Sequence, residues 1–216
     1  MGAIDQTEIV ERRSASRALV LACLLAAGCG HLPPLIRSGD ALDPQEHVRL
    51  GGSYEAQGLR AEAVSQYEAA VRRDPACVEG WVALGNIEFQ DGRFEAAETS
   101  FRKAVTASPS HPGARNNLAM AIMARNGDLS EAEAMARQAL EKPGSLRPYI
   151  LDTLANIHVR QRRYAEALDL VDQAEAATPP DDRLVREQLK ATRDEIQAAA
   201  GVRDHAPGQA PRGDGP

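Results

Sequence analysis

A pattern of apolar and small residues recurs along this chain with a period of 34 residues, and it limits the possible folds more than any other feature. With this period, residues 44–181 divide into the units 44–77, 78–111, 112–147 and 148–181. In each unit a leucine is followed by a small residue, and two alanines come later. These positions hold Leu50, Leu84, Leu118 and Leu154; Gly51, Gly85, Ala119 and Ala155; Ala63, Ala97, Ala132 and Ala167; and Ala70, Ala104, Ala139 and Ala174. A repeat of this length is one supersecondary unit that buries its apolar face by stacking on its neighbours.

The recurring positions are those that a pair of antiparallel helices requires. Small residues remove side-chain bulk, so that two helices can approach closely, and the leucines follow a helical spacing. Aromatic residues that extend this apolar stripe are Tyr54, Tyr67, Trp81 and Phe101. Glycines expected at the turn between the two helices are Gly58, Gly92 and Gly127, and prolines at or near the ends of units are Pro75, Pro109, Pro143 and Pro179.

This pattern resembles the tetratricopeptide repeat (TPR) over residues 44–181. The resemblance implies an all-α fold, a right-handed α-solenoid of antiparallel helix pairs. The chain departs from the pattern at Glu88, where the first unit has Tyr54, and at Arg115, where the second has Trp81. The third unit is also longer, with 36 residues, so we expect the most irregular joint of the stack there.

Composition supports a helical protein and argues against nucleic acid as a partner. Hydrophobic residues make up 43% of the chain but aromatic residues only 4%, which favours Ala- and Leu-rich helices over strands. The net charge is −6, whereas binding to phosphate groups needs a basic face.

The segment after the repeats predicts a helix that caps the stack. Residues 182–200 place apolar side chains on one side and charges on the other, as a terminal element needs in order to cover an exposed apolar face. The apolar residues expected on the buried side are Leu184, Val185, Leu189 and Ile196, with Asp181 or Asp182 as the N-cap. Residues 201–216 are rich in Gly and Pro and are expected to be disordered.

The N-terminus predicts export. Arg12, Arg13 and Arg17 precede the uncharged apolar run 18–28, which as a helix spans roughly 16 Å, too short for a hydrocarbon core of roughly 30 Å. A positive flank, a short apolar run and small residues are typical of a secretory signal peptide, here residues 1–28, with residues 29–43 as a linker.

The end of this segment, LAAGCG at residues 25–30, resembles the lipobox of bacterial lipoproteins. The resemblance implies that Cys29 carries lipid and begins the mature chain, and that Gly30 directs it to the outer membrane, on the periplasmic face. Ala26 stands where leucine is commoner in that family. Ordinary cleavage after Gly28, which would give a soluble periplasmic protein, is the alternative.

Motifs of catalysis are missing from the sequence. It has no H-E-x-x-H, G-x-S-x-G, G-x-G-x-x-G or P-loop pattern, and its five histidines are spread singly. His47 and His158 occupy repeat positions usually filled by aromatic residues, so we expect them to pack within the fold. Cys77 is expected to be a bystander thiol. No enzyme activity, cofactor, metal site or small-molecule substrate is expected.

The resemblance implies that the first helix of each unit lines a concave groove that binds a protein or peptide partner. Asparagine offers both donors and an acceptor to a peptide backbone, and methionine adapts to irregular apolar partners. The alternative for each asparagine is a bond to a neighbouring helix. The groove residues are Val82, Asn86, Phe89, Gln90, Asn116, Asn117, Met120, Met123, Tyr149, Asn156 and Arg160.

Some TPR domains clamp a terminal carboxylate with two asparagines and several cations. Asn86 and Asn117 match the asparagine positions, but Val82, Tyr149 and Thr153 stand where that pattern has cations. Because an anion would be left uncompensated, we exclude a carboxylate clamp.

The sequence thus predicts an outer-membrane TPR lipoprotein that acts as an interaction scaffold in envelope assembly. By resemblance of layout, the function is of the type IV pilus secretin or polysaccharide export type. The alternatives are a soluble periplasmic TPR adaptor and an accessory subunit of an envelope enzyme.

Overall fold

The computed structural model describes residues 42–201, and within this range the secondary structure is helical, with no strand. The predictions on residues 1–41 and 202–216, including the signal peptide, Cys29 and the tail, lie outside the described residues. The helices are α1 Pro44–Ala56, α2 Arg60–Arg73, α3 Val78–Gln90, α4 Phe94–Ala107, α5 Pro112–Ala124, α6 Leu129–Ala139, α7 Arg147–Arg160, α8 Tyr164–Ala177 and α9 Arg183–Ala200, with a 3₁₀ turn Gly144–Leu146 before α7.

The helices form consecutive antiparallel pairs, α1/α2, α3/α4, α5/α6 and α7/α8, and each pair stacks on the next. The first helices α1, α3, α5 and α7 contact one another along the stack, whereas a crevice of about 660 Å³ parts the second helices α2 and α4. The stack therefore curves around its first helices, and we call the surface that they form the inner groove. The predicted all-α solenoid is confirmed.

Small residues set the distance between the two helices of a pair. A Cβ added to Gly51 would lie 2.5 Å from Cε1 of Tyr67, and one added to Gly85 would lie 2.5 Å from Cε1 of Phe101. Real Cβ atoms do not approach carbon this closely, so each ring occupies the space that a side chain would need. The first helix of each of these units thus rests directly on an aromatic ring of the second.

The turn within each unit is made by its fifteenth residue, which adopts a left-handed conformation. Gly58 has φ 76° and Gly92 has φ 73°, as predicted, and Arg162 has φ 61° in the fourth unit. In the third unit Gly127 lies in the turn, as expected, but the left-handed residue is Asn126, with φ 59°. Asparagine tolerates this conformation better than most residues, so the turn needs no glycine there.

Helix α9 covers the end of the stack, packing on α7 and α8. Its buried residues are Val185, Leu189, Thr192 and Ile196. The expectation that Leu184 joins this face is wrong: it is 76% exposed, since it is rotated by one residue from the buried stripe. Asp182 is the N-cap, and its side chain accepts a hydrogen bond from the backbone N–H of Val185 at 3.1 Å.

His47, His158 and Cys77, which the sequence predicts to have no catalytic role, are buried. The Nδ1 atom of His47 lies 2.8 Å from Oε1 of Gln66, and Nε2 of His158 lies 3.3 Å from Oε1 of Glu133. Cys77 is also buried, and this burial raises the pKa of its thiol. Each therefore serves the interior of the stack, as expected.

A cluster of polar side chains around Glu133 joins the third unit to the fourth. Its carboxylate accepts hydrogen bonds from Arg137 at 2.7 Å, from Gln161 at 3.1 Å and from Arg163 at 3.1 Å. Burial raises the pKa of this carboxyl group, but the hydrogen bonds from Arg137, Gln161 and His158 outweigh burial and lower it to about 2. The charged form of Glu133 therefore stabilises the joint.

Two neighbouring glycines of α1 test the close approach of the helices. We expect Gly51→Ala to reduce the free energy of unfolding by about 1–3 kcal/mol, because the new methyl group would overlap the ring of Tyr67. Gly52→Ala, where the nearest atom lies 3.8 Å away, should raise it by about 0.5–1 kcal/mol through helix propensity. Denaturant unfolding followed by circular dichroism measures both, and two changes of the same sign would contradict the prediction.

The Glu133 cluster predicts a pH-dependent stability. Since the pKa of Glu133 is lowered from 4.5 to about 2, its contribution is present above the ordinary value and is lost as the pH falls towards 2. We expect Glu133→Gln to cost roughly 1–3 kcal/mol at neutral pH and less at about pH 3. Urea unfolding at both pH values measures the gap, with Glu141→Gln, at an exposed position, as the control. If the difference in the free energy of unfolding between the wild-type chain and Glu133→Gln is no smaller at about pH 3 than at neutral pH, this role of Glu133 is refuted.

Candidate functional site

The residues predicted to line the inner groove lie on α3, α5 and α7, and most of them border two cavities. Positions three and four residues apart on a helix share a face, which brings side chains of successive first helices together. The residues that border the cavities are Asn86, Phe89, Gln90, Asn116, Asn117, Met120 and Tyr149.

The first cavity, the amide pocket, lies between α3 and α5 and has a volume of about 110 Å³. Asn117 donates a hydrogen bond from Nδ2 to Oδ1 of Asn86 at 2.9 Å, so the two amides bridge neighbouring units. This bond leaves the amide nitrogen of Asn86 and the carbonyl oxygen of Asn117 able to bond a ligand. The lining residues are Asn86, Phe89, Gln90, Phe101, Asn117 and Met120.

Phe89 supplies one of the two aromatic side chains of the amide pocket, and Phe101 supplies the other. The ring of Phe89 meets that of Phe94 edge to face, with 5.2 Å between the ring centroids. This geometry is favourable for aromatic pairs and holds Phe89 at the pocket. The pocket therefore combines apolar walls with paired amides, which suits the backbone and one apolar side chain of a peptide.

The second cavity, the acidic pocket, lies between α5, α7 and the capping helix α9 and has a volume of about 450 Å³. It adjoins the amide pocket, because Asn117 and Met120 line both. Among the residues that the structure describes, its lining contains one carboxylate and no cationic side chain. The lining residues are Gly113, Asn116, Asn117, Met120, Leu146, Tyr149, Asp152, Thr153 and Gln188.

Asp152, on α7, is the carboxylate of the acidic pocket and is only 7% exposed. It accepts hydrogen bonds from the Thr192 hydroxyl and from the Gln188 amide, both at 2.8 Å and both from α9. No Lys, Arg or His within residues 42–201 forms an ion pair with it. Burial raises the pKa of Asp152 by more than these hydrogen bonds lower it.

Asn116 is a second buried polar residue at the acidic pocket, 7% exposed. Its Nδ2 lies 3.6 Å from the sulfur of Met120, a weak acceptor. Its Oδ1 has no hydrogen-bond partner among the described residues. Buried amide oxygens are nearly always bonded, so an oxygen without a partner is unusual for a residue that lines a cavity.

The remaining predicted groove residues line neither pocket and have contacts within the fold. Asn156 donates to the backbone oxygen of Asp152 at 2.9 Å. Arg160 donates to the backbone oxygen of Met123 and to Oδ1 of Asn126, both at 3.0 Å, which ties α7 to the end of α5. Val82 and Met123 are half-buried, and Met123 packs against the apolar core.

Sequence reasoning did not identify Asp152, Gln188 and Thr192 as a cluster. The period of the repeat places Asp152 on the groove face, but its two partners lie 36 and 40 residues later, on a helix outside the repeats. The signal that could have revealed Asp152 is its place in ILDTLANI, a helix stretch that is otherwise nearly free of charge. A carboxylate there needs either a partner or a ligand.

The outer crevice, between α2 and α4, differs from the inner pockets because its charges are paired. Glu88, where the first unit has Tyr54, accepts a hydrogen bond from the Ser100 hydroxyl at 2.6 Å. The ammonium group of Lys103 lies 4.2 Å from the centre of the Trp81 ring. Two ion pairs also line the crevice, Arg93 with Glu88 at 4.0 Å and Arg72 with Glu68 at 3.2 Å. This crevice therefore has less need of a ligand than the inner pockets.

Residues 42–201 contain neither a metal-type cluster of side chains nor a helix suited to span a membrane. Nowhere in this range do three or more His, Cys, Asp or Glu side chains come together as a metal site would require. Among the helices described, none combines the length and the apolar character needed to span a lipid bilayer.

Comparison with known proteins gives matches in sequence and in structure. The model of the tetratricopeptide repeat family matches residues 48–112, 82–148 and 124–182. Human protein O-mannosyl-transferase TMTC1 is 30% identical over 141 residues, which cover 65% of this chain and only 16% of that protein.

Two solved structures resemble the chain in fold. PilF of Pseudomonas aeruginosa matches with a TM-score of 0.57 and 17% identity over 76% of this chain and 74% of PilF. MamA matches with a TM-score of 0.56 and 18% identity over 74% of this chain and 88% of MamA. At these identities the likeness concerns the fold alone.

Proposed function

Since the chain belongs to the tetratricopeptide repeat family, we propose that it is an outer-membrane lipoprotein, anchored through Cys29, that acts as a protein-interaction scaffold in cell-envelope assembly. The observation that carries the scaffold role is the amide pocket, where apolar walls and paired asparagines of neighbouring units meet on the inner groove. Such a surface suits an extended or helical segment of a partner protein.

The proposed role is binding and not catalysis. The transferase activity in the name of TMTC1 concerns a much larger protein, of which the matching region covers 16%. Within the described part of the chain, the pockets of the inner groove offer amides, apolar groups and one carboxylate held by neutral donors, with no nucleophile next to a base.

The anchor is inferred from the sequence. The apolar run before Cys29 is too short to cross a bilayer as a helix, so it suits a cleaved signal peptide rather than a membrane span. One acyl chain gives only marginal membrane binding, whereas two or more give a stable attachment. Lipidation of Cys29 in the manner of bacterial lipoproteins would therefore hold the scaffold at the membrane surface.

A cysteine substitution tests the anchor. We expect Cys29→Ser to move the full chain from the membrane fraction to the soluble periplasmic fraction, because the acceptor of the lipid is lost. Cys23→Ser is the matched control, since Cys23 lies within the predicted signal peptide, and it should leave the distribution unchanged. Fractionation followed by immunoblotting measures both, and a Cys29→Ser protein that stays in the membrane fraction excludes this anchor.

A double substitution tests the inner groove. We expect Asn86→Ala with Phe89→Ala to reduce capture of the partner from detergent-solubilised envelope by about tenfold or more, since it removes both the amide bridge and the apolar wall. Quantitative mass spectrometry of the captured proteins measures the change, and circular dichroism checks that the helicity is retained.

The matched control for the groove is a pair on the outer crevice, Thr99→Ala with Lys103→Ala. This pair should leave capture of the partner unchanged. Loss of capture with the outer pair and not with the inner pair would place the partner on the outer surface of the stack and overturn the assignment.

A further inference from the structure

The acidic pocket contains a charge that the described residues do not neutralise. Asp152 is 7% exposed and its hydrogen bonds come from a hydroxyl and an amide, which are neutral donors. By contrast, Glu133 is surrounded by Arg137, Arg163 and His158. A buried carboxylate without a cation is costly unless a positive charge reaches it, because neutral donors replace only part of the hydration that it has lost.

The polar atoms around Asp152 favour a ligand that has several N–H donors. The buried Oδ1 of Asn116 lacks a partner within the part of the chain that the structure describes, and the amide of Asn117 borders the same cavity. A ligand that carries several N–H donors can bond the carboxylate of Asp152 and the polar groups beside it, whereas an apolar ligand would leave them without partners. Ammonium and guanidinium groups have three and five such donors, respectively.

The apolar lining suits the stem of a long basic side chain. Tyr149 is 42% exposed at the rim, and Met120 and Leu146 border the same cavity. Lysine and arginine bury their methylene stems along apolar surface, and their charged ends are attracted to aromatic faces. The cavity therefore provides contacts for both parts of such a side chain.

The N-termini of α5 and α7, which lie beside the pocket, do not reverse its preference for a cation. Gly113 and Tyr149 lie in the first turns of α5 and α7, where the backbone carries a partial positive charge of about half an elementary charge that favours anions. When ionised, Asp152 carries a whole negative charge, and it lies in the second turn of α7. An anion would meet this carboxylate in a site where residues 42–201 provide no cationic side chain, so a cation is the favoured ligand.

We propose that the acidic pocket binds a lysine or arginine side chain of the partner protein, with the carboxylate of Asp152 as its counter-ion. This inference rests on the proposed scaffold function and adds the chemistry of the partner. Because the acidic and amide pockets share Asn117 and Met120, one segment of the partner can place a basic side chain in the first and an apolar side chain in the second.

Two capped amino acids test the pocket directly. N-acetyl-lysine methylamide and N-acetyl-norleucine methylamide have similar stems, but only the first has an ammonium group. Each is titrated into the isotope-labelled full chain, and the side-chain amide NMR signals of Asn116, Asn117 and Gln188 are followed. We expect saturable shifts with the lysine probe and none with the norleucine probe. Equal shifts with both probes, or no shifts with either, would overturn the inference.

Asp152→Asn tests the role of the carboxylate. The variant is expected to fold, because the Thr192 hydroxyl and the Gln188 amide can each act as donor or acceptor towards an asparagine. The dissociation constant for the lysine probe should rise by about tenfold or more. Asp169→Asn, which removes the same charge from an exposed position on α8, should leave it unchanged. Full affinity in Asp152→Asn would refute the role of Asp152.

Envelope capture with the same variant separates this inference from the scaffold function. A lysine probe that binds through Asp152, together with no partner captured by the wild-type chain, would leave the pocket in place and refute the scaffold. A partner captured equally by Asp152→Asn and by the wild-type chain, together with no difference between the probes, would refute the pocket and leave the scaffold. Loss of capture in Asp152→Asn but not in Asp169→Asn would support both.

Discussion

The close approach of paired helices is the constraint on which the rest of the structure depends. The rings of Tyr67 and Phe101 occupy the space where Gly51 and Gly85 would otherwise carry side chains. The first helices of these units are therefore drawn onto the second helices and meet their neighbours along the inner groove. The bridge between Asn86 and Asn117, and with it the amide pocket, requires this contact between first helices.

Periodicity predicts local geometry well and contacts beyond the repeat poorly. The recurring leucines and alanines predict the helix pairs, and family positions place seven of the eleven proposed groove residues at the two pockets. The failures arise where the period does not apply. Leu184 lies in the cap and is exposed, and in the third unit the left-handed residue is Asn126, although Gly127 lies in the same turn. The clustering of Asp152 with residues of α9 depends on how a non-repeated helix docks, which no internal pattern records.

Glu133, which is half-buried, and Asp152, which is buried, are carboxylates with different roles in the same stack. Glu133 has cations on several sides, so its negative charge strengthens the joint between the third and fourth units. Asp152 has only neutral donors, so its charge weakens the free protein and leaves electrostatic attraction available to a partner. Asp152 is the more deeply buried of the two and lacks the cations that surround Glu133, and both differences separate a structural from a receptive role.

The cap also has a consequence for how this protein can evolve. Solenoids commonly change length by gain or loss of whole units, and the terminal helix then covers whichever unit is last. Here Gln188 and Thr192 of that helix hold Asp152 of the fourth unit. A unit inserted before the cap would carry α9 away from Asp152 and dismantle the acidic pocket. If the pocket is under selection, lineages that keep it should also keep the number of units between it and the end of the stack.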